Sequence, residues 1–162
     1  MTYSSLAIAN EFLKRAEKTG ANLTHMQLQK LVYLAHGWNL AVNGEPLVED
    51  DVEAWDYGTV FRKLYDALKI YGGRPITSRL KWGDDTPFGY EGATEACVDL
   101  DTKEKDVVDK VWELYGSFPA FKLSALTHAD DGPWRKNFQA GRNKVIPEGE
   151  ICEYFVRLGS GH

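Results

Sequence analysis

The sequence predicts a mainly α-helical fold: a single compact domain around one buried central helix, with at most a few short strands. Its length of 162 residues is typical of one domain, and a chain of this size can bury about 70% of its unfolded surface. A hydrophobic share of 43% and an aromatic share of 12% are typical of a folded globular protein. Apolar residues also recur at helical spacing through much of the chain, which favours helices.

The segment around Leu28–Trp38 predicts the central helix. One apolar stripe at helical spacing is formed by Leu28, Leu31, Val32, Ala35, Trp38 and Val42. A helix with so little polar surface is usually buried against several neighbours. The remaining polar strip is the first place to look for function, and it consists of Gln29, Lys30, Tyr33, His36 and Gly37.

Helix boundaries can be read from the residues that flank this segment. A first helix is predicted over Ser4–Lys18, with Gly20 just beyond its end. Thr24 and Gln27 match a capping box at the start of the central helix, and Gly44 ends that helix.

A short extended segment over Val48–Asp56 leads to the turn Asp56–Gly58. We expect Trp55 to pack in the core and Tyr57 to lie at the surface, because a tyrosine can present its polar tip to water. Thr59 is a plausible N-cap. The third helix that it would start has an apolar face of Val60, Leu64, Ala67, Leu68 and Tyr71.

The pattern weakens over Arg74–Asp101, which indicates a functional loop or short strands that the sequence does not define. Asp101 with Glu104 predicts the cap of a further helix. A short helix is expected over Lys122–His128, and Pro147 is expected in the first turn of a last helix.

Charge and composition narrow the function classes. The net charge of −5 argues against direct nucleic-acid binding, which requires a basic surface. Met1–Asn10 does not resemble a secretion signal, and no apolar run approaches the ~20 residues needed to span a membrane. We therefore expect a cytoplasmic protein, with Cys97 and Cys152 as reduced thiols.

The domain is expected to cover residues 1–158, because 159–162 resemble an expression scar.

Metal and cofactor sites are not predicted. His25, His36 and His128 lack zinc-ligand spacing to one another or to the cysteines. The acidic run Glu49–Glu53 does not match a calcium loop.

A small hydrolase using His36 or His128 as a base is the rival class. Ser124 lies four residues before His128, close enough for a helix to bring them together. However, no nucleophile elbow or oxyanion glycine pattern accompanies them. The favoured interpretation is that His128 ends a short helix and bonds the backbone of the turn that follows. The hydrolase would require both histidines in one cleft beside an acid or hydroxyl.

Several motifs in order resemble the Panacea domain, also called the SocA-like antitoxin domain. The main one is Leu28–Trp38, and the others are Gly44–Leu47, Ala54–Val60, Leu64–Tyr65, Leu123–His128 and Gly132–Trp134. Together they cover about Ser5 to Phe155. Thr59 stands where many members carry proline.

The resemblance implies an antitoxin, not an enzyme, that neutralises a cognate protein toxin by direct binding in a prokaryote or phage. An alternative within the family is a proteolytic adaptor that delivers the toxin to ClpXP. The candidate partner-binding residues are the aromatics Tyr33, Tyr57, Tyr65 and Trp134 with their polar neighbours Lys30 and His36. Equally open at this point is that these residues determine the fold and that the partner contacts Arg74–Asp101.

Overall fold

The computed structural model describes residues 1–161, in which helices pack around one central helix, with a small antiparallel sheet beside it. His162, part of the predicted expression scar, lies outside the described residues. The elements in chain order are α1 (Ser5–Thr19), α2 (His25–Asn43), β1 (Val52–Trp55), β2 (Gly58–Phe61), α3 (Arg62–Leu68), a 3₁₀ turn (Lys69–Tyr71), α4 (Thr102–Tyr115), α5 (Ala120–Thr127), α6 (Pro133–Asn137), β3 (Lys144–Val145) and α7 (Glu148–Gly159).

The central helix α2 begins and ends as predicted. The Thr24 hydroxyl accepts the N–H of Gln27, and the Gln27 side chain accepts the N–H of Thr24. Gly44 closes the helix in the left-handed conformation, with φ of 70°. Helix α4 also begins with its predicted capping box, which Asp101 and Glu104 form.

Helix α2 is buried by contacts with α1, α4, α5, α7 and β2. Its apolar stripe is fully buried from Leu28 to Ala35, whereas Val42, near the C-terminal end, is 67% exposed. The prediction of a buried central helix is confirmed, and so is the prediction of a mainly α-helical single domain.

The sheet has the strand order β2-β1-β3, with both pairs antiparallel. Val52 pairs with Phe61 and Trp55 pairs with Gly58, so β1 and β2 form a hairpin. The prediction that Thr59 caps a helix is wrong, because Thr59 lies in β2 and α3 begins at Arg62. Pairing with β1 and contact with α2 override the local helical pattern.

Two short elements were not predicted from the sequence. Helix α6 forms at the Gly132–Trp134 motif and has Pro133 in its first turn. Strand β3 forms at Lys144–Val145 and pairs with β1. Both elements depend on neighbours that are distant in sequence.

The segment 74–101 contains no helix or named strand, but it is anchored to α1. The buried Asn10 side chain donates to the carbonyl oxygens of Leu80 and Ala96, each at 2.8 Å. Its oxygen accepts the Leu80 N–H at 2.8 Å. These hydrogen bonds fix the chain at Leu80 and Ala96, and the irregular stretch between these two residues carries the exposed rings of Phe88 and Tyr90.

Cys97 and Cys152 are free thiols. Among the described residues, no helix has both the length and the apolar character needed to cross a membrane.

Candidate functional site

The polar strip of α2 is buried, and Gln29 clamps the hairpin. Its side-chain oxygen accepts the N–H of Phe61 at 3.0 Å, and its amide nitrogen donates to the Phe61 carbonyl at 3.2 Å. A neighbouring strand would satisfy the same two backbone groups, so Gln29 substitutes for a strand at the outer edge of β2. Because Gln29 is 2% exposed, its removal would leave buried backbone groups unpaired.

Lys30 adds a second clamp on the same strand. Its Nζ donates to the Thr59 carbonyl at 2.9 Å, and the residue is fully buried. Burial lowers the pKa of the Lys30 ammonium to about 7, because a charge is disfavoured away from water. A Cβ on Gly58 would lie 2.8 Å from Lys30 Nζ and 2.9 Å from Thr127 Oγ1. Any larger residue at position 58 would therefore displace the lysine.

His36 holds the segment that leads into β1. Its Nδ1 accepts the N–H of Val48 at 3.1 Å and faces that of Leu47 at 3.4 Å, so Nδ1 carries no proton. Its Nε2 lies 3.4 Å from Glu148. Burial lowers the pKa of His36 to about 4. His36 is therefore a neutral acceptor of backbone hydrogen bonds at pH 7.

Tyr33 and Gly37 form the part of the strip that faces α7. Tyr33 is 2% exposed and meets the Phe155 ring edge-on, with centroids 5.7 Å apart. Burial raises the pKa of Tyr33. Gly37 lies under the same ring, since a Cβ there would be 2.2 Å from Phe155 Cε2. This face of the strip is a packing surface.

Trp134 supports the hairpin turn from α6. Its indole Nε1 donates to the Trp55 carbonyl at 2.7 Å, and its ring lies against His128 with centroids 4.1 Å apart. His128 ends α5, as predicted, but its backbone N–H donates to the Ser124 carbonyl within the helix and not to the following turn. The turn between β1 and β2 is thus held at Trp55 as well as along β2.

An open groove of about 550 Å³ lies beside this turn. We call it the hairpin groove, and its main lining residues are His25, Gln29, Trp55, Asp56, Tyr57 and Tyr65. The Tyr65 ring lies 4.7 Å from that of Trp55 and 5.3 Å from that of His25, centroid to centroid. The groove therefore has an aromatic wall formed by Trp55, Tyr65 and His25.

Five of the six predicted partner-binding residues surround or support the hairpin, whereas Tyr33 packs against α7, and the structure exposes the six unequally. Tyr57 is 75% exposed and Tyr65 is half-buried at the groove. The other four are at most 7% exposed: Lys30, Tyr33, His36 and Trp134. In this conformation these four can influence a partner only through the residues that they hold in place.

Sequence reasoning did not single out Asp56 and His25 as groove residues. Asp56 directly precedes Tyr57 in the turn, and that adjacency was the available signal. His25 lies four residues before Gln29, so the two share a helix face. Burial, followed by the charge of Lys30, lowers the pKa of His25 to about 4, which leaves this wall of the groove uncharged at pH 7.

His36 lies beside Glu148 and the Val48 backbone, whereas His128 packs against Trp134, and these separate surroundings disfavour the hydrolase hypothesis. Among the described residues, His36 and His128 share no hydrogen-bonding partner. Burial, then the charges of Lys30 and Arg135, lower the pKa of His128. Within residues 1–161, no three His, Cys, Asp or Glu side chains are grouped to hold a metal ion.

Comparison with known proteins places this arrangement in a family. The family model described as "Antitoxin SocA-like, Panacea domain" matches residues 28–135. The chain belongs to the SocA-like Panacea domain family. The match runs from α2 to α6, so it includes the clamps on the hairpin, the turn with Tyr57 and the supporting Trp134.

One curated relative of this Panacea chain is Antitoxin SocA from Caulobacter vibrioides (strain NA1000 / CB15N). The two are 33% identical over 129 residues, which is 79% of this chain. The alignment spans 66% of the length of that relative. No solved structure gives a significant match to the chain.

Proposed function

We propose that this protein is an antitoxin that neutralises a cognate protein toxin by direct contact at the hairpin groove. The observation that carries the proposal is an exposed aromatic side chain, Tyr57, on a turn that buried side chains fix from behind. Membership of the Panacea family supports the antitoxin role. We infer that the protein acts in the cytoplasm, where it would meet a newly synthesised toxin.

The physical argument rests on preorganisation. Binding is costly when loops must be ordered, and a rigid surface avoids part of that cost. Gln29 and Lys30 fix β2, and Trp134 fixes the carbonyl of Trp55, so the turn needs little further ordering. Tyrosine and tryptophan are also the residues that most often dominate interface energies.

A rival contact surface is the segment 74–101. It carries Phe88, which is fully exposed, and Tyr90, which is 59% exposed. We favour the hairpin because Tyr57 adjoins a groove with further aromatic walls. The two surfaces are separable by single substitutions, since Tyr57 is the more exposed aromatic residue at the groove and Phe88 the more exposed one on the segment.

Co-expression with the product of the neighbouring gene tests the proposal. We expect the wild-type chain to restore growth and to co-purify with the toxin. Tyr57→Ala should lose rescue while remaining folded, and Phe88→Ala should retain it. Rescue by Tyr57→Ala together with failure of Phe88→Ala would place the contact on segment 74–101 instead.

The same strains separate sequestration from delivery to ClpXP. Direct neutralisation predicts that the toxin accumulates in a stable complex, whether or not ClpXP is present. Toxin that disappears during rescue and returns when ClpXP is deleted would contradict sequestration and support the adaptor.

A further inference from the structure

We infer that the hairpin groove accepts a basic side chain of the toxin, with a flat guanidinium group as the best fit. The inference rests on the proposed function and names the chemistry of the partner residue that the groove would take. It follows from the charge of the groove lining, the geometry of its aromatic wall and the pairing of the neighbouring cation.

The charge of the lining is the first argument. Among the described residues that line the groove, Asp56 is the one carboxylate, and there is no lysine or arginine. Asp56 is exposed on the turn beside Tyr57. A partner carboxylate entering here would meet a like charge, whereas a cation would meet a complementary one.

The aromatic wall is the second argument. A cation within about 6 Å of an aromatic ring centroid is attracted by the negative face of the ring. The chain already uses this interaction nearby, because the guanidinium carbon of Arg62 lies 5.1 Å from the Trp55 ring centroid. Tyr57 and Tyr65 offer further ring surface in the groove.

The neighbouring charges do not oppose this assignment. Arg62 is paired with Glu53 through two hydrogen bonds, at 2.9 and 3.2 Å, so its charge is locally compensated. Lys30, bonded to Thr59 behind the hairpin, lies close enough to lower the pKa of His25, but burial lowers its own pKa to about 7. His25 is neutral at pH 7, because burial lowers its pKa to about 4. Asp56 therefore sets the sign of the groove.

The chemistry of the lining favours arginine over lysine. An open groove of about 550 Å³ can admit one long side chain. A planar guanidinium stacks on aromatic rings and pairs with a carboxylate at the same time. An ammonium group is more strongly hydrated and does not stack.

Titration with small amino-acid amides tests this inference without the toxin. The probes are N-acetyl-arginine amide and N-acetyl-leucine amide, and the readout is the NMR signal of the Trp55 indole. We expect saturable binding of the arginine probe only. Asp56→Asn should weaken it about fivefold, and Tyr57→Ala about threefold.

Asp51→Asn is the matched control, since Asp51 is an exposed carboxylate before β1 that does not line the groove. It should leave binding of the arginine probe unchanged. Equal binding of the leucine probe, an equal effect of Asp51→Asn, or no arginine binding would overturn the inference.

Comparison with growth rescue keeps the two proposals distinguishable. Loss of rescue in Tyr57→Ala without arginine binding would leave the antitoxin proposal standing and overturn the basic-side-chain inference. Arginine binding with full rescue by Asp56→Asn would also overturn it, because the toxin would then not use this contact.

Discussion

Lys30 Nζ donates to the carbonyl oxygen of Thr59 at 2.9 Å, which ties the buried central helix to the strand that follows Tyr57. A charged lysine seldom lies in such a position, because desolvation of its charge is costly. The contact therefore links the core to the candidate site, because Lys30, which fixes the hairpin, belongs to the buried helix α2 and lies one turn before Leu34.

Stability should rise with pH above neutrality because of Lys30. Its pKa is about 7 in the folded chain against 10.5 for an ordinary lysine. Between these values the unfolded chain binds more protons, so raising the pH stabilises the fold, by at most about 1.4 kcal/mol per pH unit.

Urea unfolding of the wild type and Lys30→Met at pH 7 to 9 measures this slope. The methionine variant keeps the volume but cannot titrate, so its stability should vary less with pH. Equal slopes in the two proteins would show that Lys30 has a normal pKa.

His36 should make the fold sensitive to acid. Burial lowers its pKa to about 4, against 6.5 for an ordinary histidine. The unfolded chain therefore binds more protons between these values, and stability should decrease as the pH falls from about 6.5 towards about 4. Protonation of Nδ1 would also abolish its hydrogen bond from Val48.

Comparison with His36→Gln isolates this effect, because His25 has a pKa shift in the same direction and is present in both proteins. The variant should lose less stability over that pH range. A loss equal to that of the wild type would assign the acid sensitivity to other groups.

Gly37→Ala should destabilise the fold by about 1 to 3 kcal/mol. The added Cβ would lie 2.2 Å from Phe155 Cε2, and Phe155 is itself 1% exposed and cannot move aside freely. Gly149→Ala in α7 is the matched control, because nothing lies within 4 Å of its Cβ. The control should be neutral or stabilising by up to about 1 kcal/mol, since alanine favours helices. Thermal unfolding of both variants checks the difference, and equal melting temperatures would contradict it.

Local sequence signals were sufficient for the long helices and their caps. The stripe from Leu28 to Ala35 and the capping boxes at Thr24 and Asp101 depend on residues within one or two turns of each other, so they were predictable. The start of α3 was not, because Thr59 belongs to β2 through pairing with Ala54. That pairing depends on contacts with α2, and a local sequence pattern does not contain information about contacts between distant residues.

The sequence predicted where the candidate site lies, but not how its side chains are arranged. The Trp55–Gly58 turn indicated an exposed Tyr57, and the structure exposes it. The sequence could not show that Gln29 and Lys30 point at β2 and not at solvent. Helical spacing identifies which residues share a face, but tertiary packing decides which other element of the fold covers that face.

Gln29→Met should weaken the hairpin more than a surface change of the same kind. It removes the hydrogen bonds to the N–H and carbonyl of Phe61, at 3.0 and 3.2 Å, and leaves both groups buried. We expect a loss of about 2 kcal/mol or more. Gln139→Met, at an exposed position, is the control and should stay within about 0.5 kcal/mol.

Hydrogen exchange at the Phe61 amide gives the local readout for this pair of variants. Exchange should be faster in Gln29→Met and unchanged in Gln139→Met. An unchanged Phe61 amide in Gln29→Met would mean that pairing with β1 alone holds the strand.

The affinity of the purified toxin for Tyr57→Ala and Phe88→Ala tests the central claim most directly. These residues are the exposed aromatics of the two rival surfaces, at the hairpin groove and on segment 74–101. With the groove as the interface, Tyr57→Ala should weaken binding by about 30-fold, or about 2 kcal/mol, and Phe88→Ala by less than about twofold. The reverse order, with both variants folded, would contradict the account.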